Sequence, residues 1–365
     1  MRTFDRTFLL ATGLLVIIGF FVFTSASLGL LARPDGARFS SVAFHQVFFG
    51  IGLGSIALLV LMNVRYRFWR KYSFYLFILA LLATCLVFIP GLGFSSGGAT
   101  RWIHIGNFSW QPAEFLKLAY VLYIAALLSG MRSQIQTFRG SILPFSIITA
   151  LAALPLLLQP DTGTTMVLAA GGLAILIAAG CRMRHLAVLF AIVCLLVAFL
   201  AYTRPYVKDR IITFLDPGGD PRGSSYKLQQ SLIAIGSGGL TGRGFGQSVQ
   251  KFNYLPEPIG DSIFAVAAEE FGFLGAVTLI GLFLYVASRG LKIAARAPDS
   301  FGRLSVVGIV ILIVSQSFIN IASMVGLVPL TGLPMLFVSH GGTALFFALA
   351  EVGIILNISR YAVQK

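Results

Sequence analysis

Long apolar runs recur along the whole chain, and they constrain its fold more than any other feature. A helix that crosses a bilayer needs about 20 mostly apolar residues, and lipid offers no partner to an unpaired backbone group. Ten such stretches can be drawn, at residues 8–31, 43–62, 73–90, 112–130, 141–158, 162–180, 185–203, 262–288, 304–326 and 337–359. The sequence therefore predicts an all-α, polytopic membrane bundle with about ten transmembrane helices.

The composition favours one membrane domain over residues 1–365. Hydrophobic residues make up 57% of the chain and charged residues 11%, whereas a soluble domain has about 25% charged residues. The net charge of +14 is spread through short loops without a continuous basic face, so we predict no nucleic-acid partner. Cys85, Cys181 and Cys194 lack paired or metal-ligand spacing, which predicts neither a disulfide nor a metal site.

The basic residues predict the orientation of the bundle. Ten spans place both termini on one side, and the short loops of the opposite side hold only Arg33, Arg38 and Arg101. Because positive residues concentrate in cytoplasmic loops, we expect both termini in the cytoplasm. The long segment 204–260 before the eighth helix is then extracytoplasmic. It contains a short amphipathic run at residues 227–235 and six glycines between 236 and 246 that match no phosphate-loop motif, so we interpret these glycines as turns.

The junction at residues 251–275 concentrates carboxylates at the start of an apolar run. The chain has 13 acidic residues, and four of them, Glu257, Asp261, Glu269 and Glu270, fall within this segment. Glu269 follows Asp261 by eight residues, about two helical turns, so it should lie beneath Asp261 on the same face. We interpret Asp261 as the head of the span, Glu257 as an acid that fixes the loop, and Glu269 and Glu270 as cavity-lining acids.

Ionisable residues inside other spans are candidates for a function, because each costs roughly 2.5–3.5 kcal/mol to insert. Glu114 and Lys117 are three residues apart on one helical face that starts at Pro112, and Asp161 begins another span at the same level. Two interpretations remain open for these three residues: a neutral polar knot that holds helices together, or the floor of a cavity. Glu351 has no partner near it in the sequence, and we assign it no chemistry.

Arg101 is the one charged residue of a short loop that also carries two tryptophans. It could anchor the loop, or its guanidinium could bind a phosphate beside the lipid headgroups. His45 and His104 have no serine or carboxylate at motif spacing and are interpreted as ordinary loop or interface residues. His340 lies beside two glycines, which indicates a tightly packed helix start.

Five ordered motifs give the chain a resemblance to a known family. They are GATRWIHIG with QPAEFLKLA, then QPDTGTT, then RIITFLDPGGDPRGSSYKLQQSLIAIGSGGLTGRGFGQS, then YLPEPIGDSIFAVAAEEFG, and finally GLVPLTGLPMLFVSHGGT. Together they resemble the SEDS family of bacterial envelope proteins over almost the whole chain. The forms QSLIAIGSGG and LNISR resemble its FtsW cell-division branch more than its RodA elongation branch.

The resemblance implies a peptidoglycan glycosyltransferase of the bacterial cytoplasmic membrane. Such an enzyme polymerises lipid II on the outer face, beside a class B penicillin-binding transpeptidase and other cell-division proteins. The catalytic aspartate of the family falls on Asp261. The resemblance also assigns substrate-binding positions, which with the junction acids are Arg101, Glu114, Lys117, Asp161, Arg210, Lys251, Glu257 and Glu270.

A single general base suffices for the implied reaction, since diphosphate is already a competent leaving group. Asp261 would take the proton of the acceptor hydroxyl. The charge of the leaving group would be met by Arg101, Arg210 and Lys251, or by a divalent cation. Two other classes remain open at this point: a lipid II flippase or transporter, which predicts helices broken near the midplane and repeat symmetry, and a noncatalytic scaffold of the division machinery.

Overall fold

The helices form a bundle that follows the apolar runs of the sequence. The computed structural model describes residues 4–31, 38–96, 99–105, 108–131, 134–216 and 225–362; Arg33 and residues 217–224 of the long segment lie outside these ranges. Within them the helices are α1 (Arg6–Leu31), α2 (Arg38–Phe44), α3 (Gly54–Leu61), α4 (Tyr66–Cys85), α5 (Pro112–Gly130), α6 (Ile142–Leu158), α7 (Thr162–Ala179), α8 (Met183–Thr203), α9 (Pro205–Leu215), α10 (Tyr226–Ser237), α11 (Ile263–Ala295), α12 (Ser300–Met324) and α13 (Gly342–Arg360).

The expected helical membrane bundle is confirmed. Nine helical segments of the described ranges are long and apolar enough to span a bilayer, with α2 and α3 joined into one segment by the π-helical stretch His45–Leu53. The tenth, α6, has 17 residues, at the lower end of the roughly 17–25 that a span requires. The helix expected from residue 73 begins instead at Tyr66. Its first residues include several basic side chains, so they do not belong to the apolar run in the sequence, but their backbone is helical.

The centre of the bundle is built from α5, α12 and α13, whose side chains are mostly buried. Small residues let these helices approach closely: a Cβ at Gly308 of α12 would come within 2.6 Å of Val121 on α5. At the opposite extreme, α8 packs mainly against α9 and exposes nearly all of its described side chains.

A small antiparallel sheet departs from the all-helical expectation. Its strands β1 (Gly93–Ser96), β2 (Ala99–Ile105) and β3 (Phe108–Trp110) pair in the order β1-β2-β3. The alternation in RWIHI and FSW is compatible with strands, but each run is short and lies between strong apolar helices. The sheet is the element that carries Arg101, so it decides where that guanidinium lies.

Helix α11 is broken at Gly272, which has φ 66° and ψ −165°. A break frees backbone groups that lipid cannot satisfy, so another part of the protein has to pair with them. The glycine-rich stretch after α10 does so. The bonds run from Arg243 N to Glu269 O (3.0 Å), from Gly244 N to Glu270 O (2.9 Å), from Phe273 N to Gly239 O (2.9 Å) and from Leu274 N to Leu240 O (3.1 Å).

The turns expected for the glycines of the long segment are present, since residues 238–241 form a turn and four of the six glycines have positive φ; the pairing adds a second reason for Gly238 and Gly242. A Cβ at Gly238 would lie 2.1 Å from Ala268 O, and a Cβ at Gly242 would lie 2.1 Å from Glu270 O. Gly242 also has φ +80°, where a side chain is strained. Gly238 and Gly242 therefore allow this stretch to lie directly against the backbone of the broken helix.

Candidate active site

Asp261 lies at the head of α11, one residue before Ser262, which precedes the first helical turn. Its carboxylate accepts two hydrogen bonds from Lys227 Nζ on α10, both of 2.5 Å. Its carbonyl accepts a hydrogen bond of 2.6 Å from Asn320 Nδ2 on α12. The Asp261 side chain is 11% exposed and that of Lys227 is 21% exposed. An ionised carboxylate is thus held at a defined place with an opening to solvent.

Arg210 on α9 interacts electrostatically with Asp261 and with a second carboxylate, that of Asp161. Its guanidinium donates to Thr162 Oγ1 at 3.2 Å and to Thr331 O at 3.4 Å, and it lies 4.3 Å from the centre of the Tyr206 ring. Burial lowers the pKa of Arg210 from its ordinary value, while Tyr206, Asp161 and Asp261 oppose that shift electrostatically. Since an arginine stays protonated even so, Arg210 is a cation that Thr162 and Thr331 hold in place within electrostatic range of both acids.

Asp161 caps α7 and also faces Arg101. Its Oδ1 accepts a hydrogen bond from Thr164 N at 3.2 Å, and Arg101 Nη1 lies 3.8 Å from the same oxygen. Arg101 also donates to the carbonyl of Pro160 at 2.5 Å. These contacts tie the sheet to the start of α7. We call Arg101, Asp161, Arg210, Lys227 and Asp261 the charged cluster; its three cations outnumber its two acids.

Glu114 and Lys117 meet on α5 as their spacing predicted, but both are almost fully buried. Lys117 Nζ lies 2.8 Å from Glu114 Oε2 and also donates a short hydrogen bond to Gln316 Oε1 on α12. Gln316 in turn donates to Pro334 O at 3.1 Å. Of the two interpretations, the arrangement favours the polar knot, because these groups already satisfy one another. Glu351 is buried and interacts electrostatically with both ions of the pair.

Lys251 and Glu270 are also placed differently from a phosphate site. Lys251 Nζ lies 2.7 Å from Glu270 Oε1, and both side chains are 0% exposed. The same ammonium donates to Ser25 Oγ at 3.0 Å and to Gly246 O at 2.9 Å. All three of its donors are therefore engaged inside the protein, where Lys251 links α1, α11 and the long segment. These contacts do not favour its expected role in meeting a diphosphate, which stays a prediction.

Glu269 fixes the backbone of the same segment instead of lining a cavity with Asp261. Its carboxylate accepts hydrogen bonds from Ser248 Oγ at 2.6 Å, Val249 N at 3.0 Å and Gln250 N at 3.3 Å. Arg243 lies 3.6 Å from it. Glu269 and Glu270, the two acids of α11 below Asp261, thus bind the backbone of the loop, because backbone amides and Lys251 occupy their carboxylates in place of solvent.

Glu257 is exposed, and its backbone shapes the loop; the role expected of its acidic side chain stays a prediction. It has φ 50°, and its carbonyl accepts hydrogen bonds from Gly260 N at 3.0 Å and Ser262 N at 3.3 Å. His340 holds the other side of this loop: its backbone N–H donates to Ile259 O at 2.7 Å. The turn that presents Asp261 is therefore fixed at both ends.

The described residues contain no group of three or more His, Cys, Asp or Glu side chains that could hold a metal ion. Several groups that shape the site were absent from the sequence interpretation, namely Lys227, Asn320, Gln316 and Ser25. Lys227 could have been singled out from the sequence, because it is the first residue of the amphipathic run that forms α10. The other three are ordinary polar residues, and only their contacts distinguish them.

The fold and the charged cluster define a multi-pass helical membrane protein with charged groups gathered on β2, on α9 and at the starts of α7, α10 and α11. A sequence profile described as FtsW/RodA/SpoVE cell cycle protein matches residues 5–364. The chain belongs to this family, which confirms the resemblance read from its motifs.

Relatives and solved structures agree over the full length. Stage V sporulation protein E of Bacillus subtilis (strain 168) is 40% identical over 359 residues, which cover 98% of this chain and 97% of that protein. The probable peptidoglycan glycosyltransferase FtsW of Trichlorobacter lovleyi is 36% identical, with coverage of 98% and 94%. A chain in the structure titled "Structural coordination of polymerization and crosslinking by a peptidoglycan synthase complex" matches with a TM-score of 0.81, 27% identity and 100% coverage of both chains. The rod shape determining protein RodA of Thermus thermophilus matches with a TM-score of 0.71, 26% identity and coverage of 99% and 98%.

Proposed function

We propose that this chain is a peptidoglycan glycosyltransferase that polymerises lipid II, with Asp261 as its general base. The observation that carries the proposal is the position of Asp261: a partly exposed carboxylate that is paired with Lys227 and interacts electrostatically with Arg210. A glycosyl transfer from a diphosphate needs one base and positive charge for the leaving group. The full-length similarity to proteins named peptidoglycan glycosyltransferase supports the choice of substrate.

In the proposed reaction, the 4-hydroxyl of one lipid-linked disaccharide attacks the anomeric carbon of another with inversion. The new glycosidic bond forms as the bond from that carbon to the diphosphate oxygen breaks, and its electron pair leaves with the diphosphate. The hydroxyl proton passes to Asp261. Arg101 and Arg210 are the cations placed to meet the diphosphate, whereas Glu114, Lys117, Lys251 and Glu270 support the site from buried pairs.

We place the charged cluster on the outer face of the cytoplasmic membrane, with both termini inside. The distribution of Lys and Arg among the loops supports this orientation. A class B penicillin-binding transpeptidase is the proposed partner, supported by the similarity to a chain of a peptidoglycan synthase complex. Relatives named FtsW favour a septal role, while the 40% identity to a sporulation protein keeps sporulation as the competing stage.

A lipid transporter is the second candidate, because the break of α11 at Gly272 is a feature that this class predicts. The break is closed by backbone pairing with the segment 239–244, which favours a fixed wall over a substrate path. A noncatalytic scaffold is the third candidate, and it predicts that Asp261 is dispensable.

The test is polymerisation of purified lipid II by the reconstituted chain, alone and with its transpeptidase, compared with Asp261→Asn. The amide keeps the shape of the side chain and removes its basicity, so polymer should fall by at least about a hundredfold. Undiminished polymer from a folded variant would refute the role of Asp261. Transfer of labelled lipid II across the bilayer, without polymer from either form, would establish the transporter instead.

A further inference from the structure

Lys227 occupies a position that the stability of its own helix does not explain. It is the second residue of α10, Tyr226–Ser237. A cation in the first turn of a helix meets the positive end of the helix dipole, which is unfavourable. Its two contacts of 2.5 Å with Asp261 offset that cost and point to a role outside α10.

The Lys227–Asp261 pair differs from the other lysine pairs in its access to solvent. The Lys251–Glu270 pair is 0% exposed and Lys117–Glu114 is nearly as buried, whereas Lys227 is 21% exposed. An ammonium has three donors, and the contacts of Lys227 with Asp261 leave one for another anion. A ligand that approaches Asp261 therefore meets the ammonium as well.

The pair also opposes the chemistry proposed for Asp261. An ammonium bonded to both carboxylate oxygens competes with the proton that a general base has to accept. Its flexible four-carbon stem allows it to move, whereas the planar guanidinium of Arg210 is fixed by Thr162 and Thr331. The site thus holds one movable cation in contact with Asp261, Lys227, and one fixed cation that interacts with Asp261 electrostatically, Arg210.

The backbone of α10 is anchored independently of this pair. Ser231 Oγ donates to the Lys227 carbonyl at 2.8 Å and contacts Met324 Sδ on α12 at 3.4 Å, and Leu228 packs against Gly326, where an added Cβ would lie 3.6 Å from its side chain. At the end of α10, Gly238 lies against Ala268. The side chain of Lys227 can therefore change partner while the helix stays in place.

We propose that Lys227 is an exchangeable counterion: its ammonium neutralises Asp261 in the empty site and moves to the diphosphate of the donor substrate when that substrate binds. The transfer frees the carboxylate to accept the proton of the acceptor hydroxyl. The base then becomes available only when a donor is bound. This inference rests on the proposed function, because it names the group that couples donor binding to the base.

The test measures binding of inorganic pyrophosphate by calorimetry, without turnover, to the purified chain in detergent. The forms are the native chain, Asp261→Asn, and Asp261→Asn combined with Lys227→Met. In Asp261→Asn no carboxylate at position 261 holds the ammonium. Any difference in pyrophosphate affinity between this variant and the double variant with Lys227→Met therefore reports contact between Lys227 and pyrophosphate. The control in that background is Lys208→Met, which removes an exposed lysine of α9.

We expect Lys227→Met to weaken binding by about tenfold or more in the Asn background, the value of one charge-assisted hydrogen bond, and Lys208→Met to leave it unchanged. We also expect Asp261→Asn to bind more tightly than the native chain, because Asp261 no longer competes for the ammonium. Equal binding with Lys227 and Met at equal unfolding temperature would show that the lysine only pins α10, which overturns the proposal. Equal binding by the native chain and Asp261→Asn would overturn the exchange.

The outcome is separable from that of the proposed function. If both expected differences appear while native protein makes no polymer from lipid II, the exchange stands and the polymerase assignment fails. If polymer forms and depends on Asp261 while the affinity for pyrophosphate does not depend on Lys227, the polymerase assignment stands and the proposed exchange of Lys227 fails.

Discussion

Lys251 Nζ lies 2.7 Å from Glu270 Oε1, and both side chains are sealed from solvent. This pair joins the long segment to a membrane helix, and Ser25 on α1 completes it through hydrogen bonds with both ions. Removing one partner of a buried pair leaves an uncompensated charge, which is far more costly than removing both. The pair therefore holds the segment against the bundle, close to the break of α11.

We predict that Lys251→Met lowers the free energy of unfolding by about 3–5 kcal/mol, because Glu270 is left charged and buried. Lys251→Met combined with Glu270→Gln should recover much of that loss. Thermal unfolding of the detergent-solubilised variants measures both effects. An unchanged unfolding temperature with weaker pyrophosphate binding would instead make Lys251 a phosphate ligand.

Gly272 should tolerate no side chain. It has φ 66°, and a Cβ there would lie 2.3 Å from Gly242 N. We expect Gly272→Ala to cost about 1–3 kcal/mol or more, since both the backbone and the paired segment would be strained. Gly281→Ala is the matched control on α11, because nothing lies within 4 Å of that Cβ. Similar unfolding temperatures for the two variants would contradict the backbone pairing at the break.

Variants of the Glu114–Lys117 pair distinguish the two interpretations of these residues, a polar knot and the floor of a cavity. Lys117→Met alone should destabilise the protein by about 3–5 kcal/mol, because Glu114 loses its buried partner. Lys117→Met combined with Glu114→Gln should restore stability and, if the pair is a knot, polymerisation as well. A stable double variant that makes no polymer would show that these groups contact substrate. Unfolding temperature and polymer yield are measured on the same preparations.

His340 should make stability depend on pH. Burial, with a smaller contribution from His45, lowers the pKa of His340 from 6.5 to about 4. Its Nε2 has no hydrogen-bond partner among the described residues, and its ring stacks on that of Phe23 with the ring centres 6.0 Å apart. Because the unfolded chain binds the proton more readily, the stabilising effect is complete above pH 6.5 and is lost as the pH falls toward 4, by about 3 kcal/mol in total.

His340→Phe keeps the ring stacked on Phe23 and removes the titration. The native chain should therefore lose more stability than this variant between pH 7 and pH 4.5, as measured by unfolding in detergent at each pH. Parallel loss in the two proteins would assign the pH dependence to other groups.

Much of the bundle could be predicted because hydropathy acts over single segments of the chain. The apolar runs located α1, α5, α7, α12 and α13 within a few residues, since a span in lipid has to satisfy its own backbone. Motifs located Asp261 and the pairing of Glu114 with Lys117, which is a local spacing on one helix. The small sheet was missed because its short strands carry little periodic signal.

Only the tertiary structure decided which charges are free and which are used internally. Lys251 and Lys227 look alike in the sequence, as lysines of one long polar segment, yet the first is sealed against Glu270 and the second faces Asp261 beside solvent. The break of α11 was equally hidden, because Gly272 is compatible with a helix until the segment 239–244 supplies partners for its backbone. The sequence by itself determined the membrane bundle, its family and the head of α11. Contacts between residues distant in the chain decided the role of each charge, because the cost of a buried ion depends on what surrounds it.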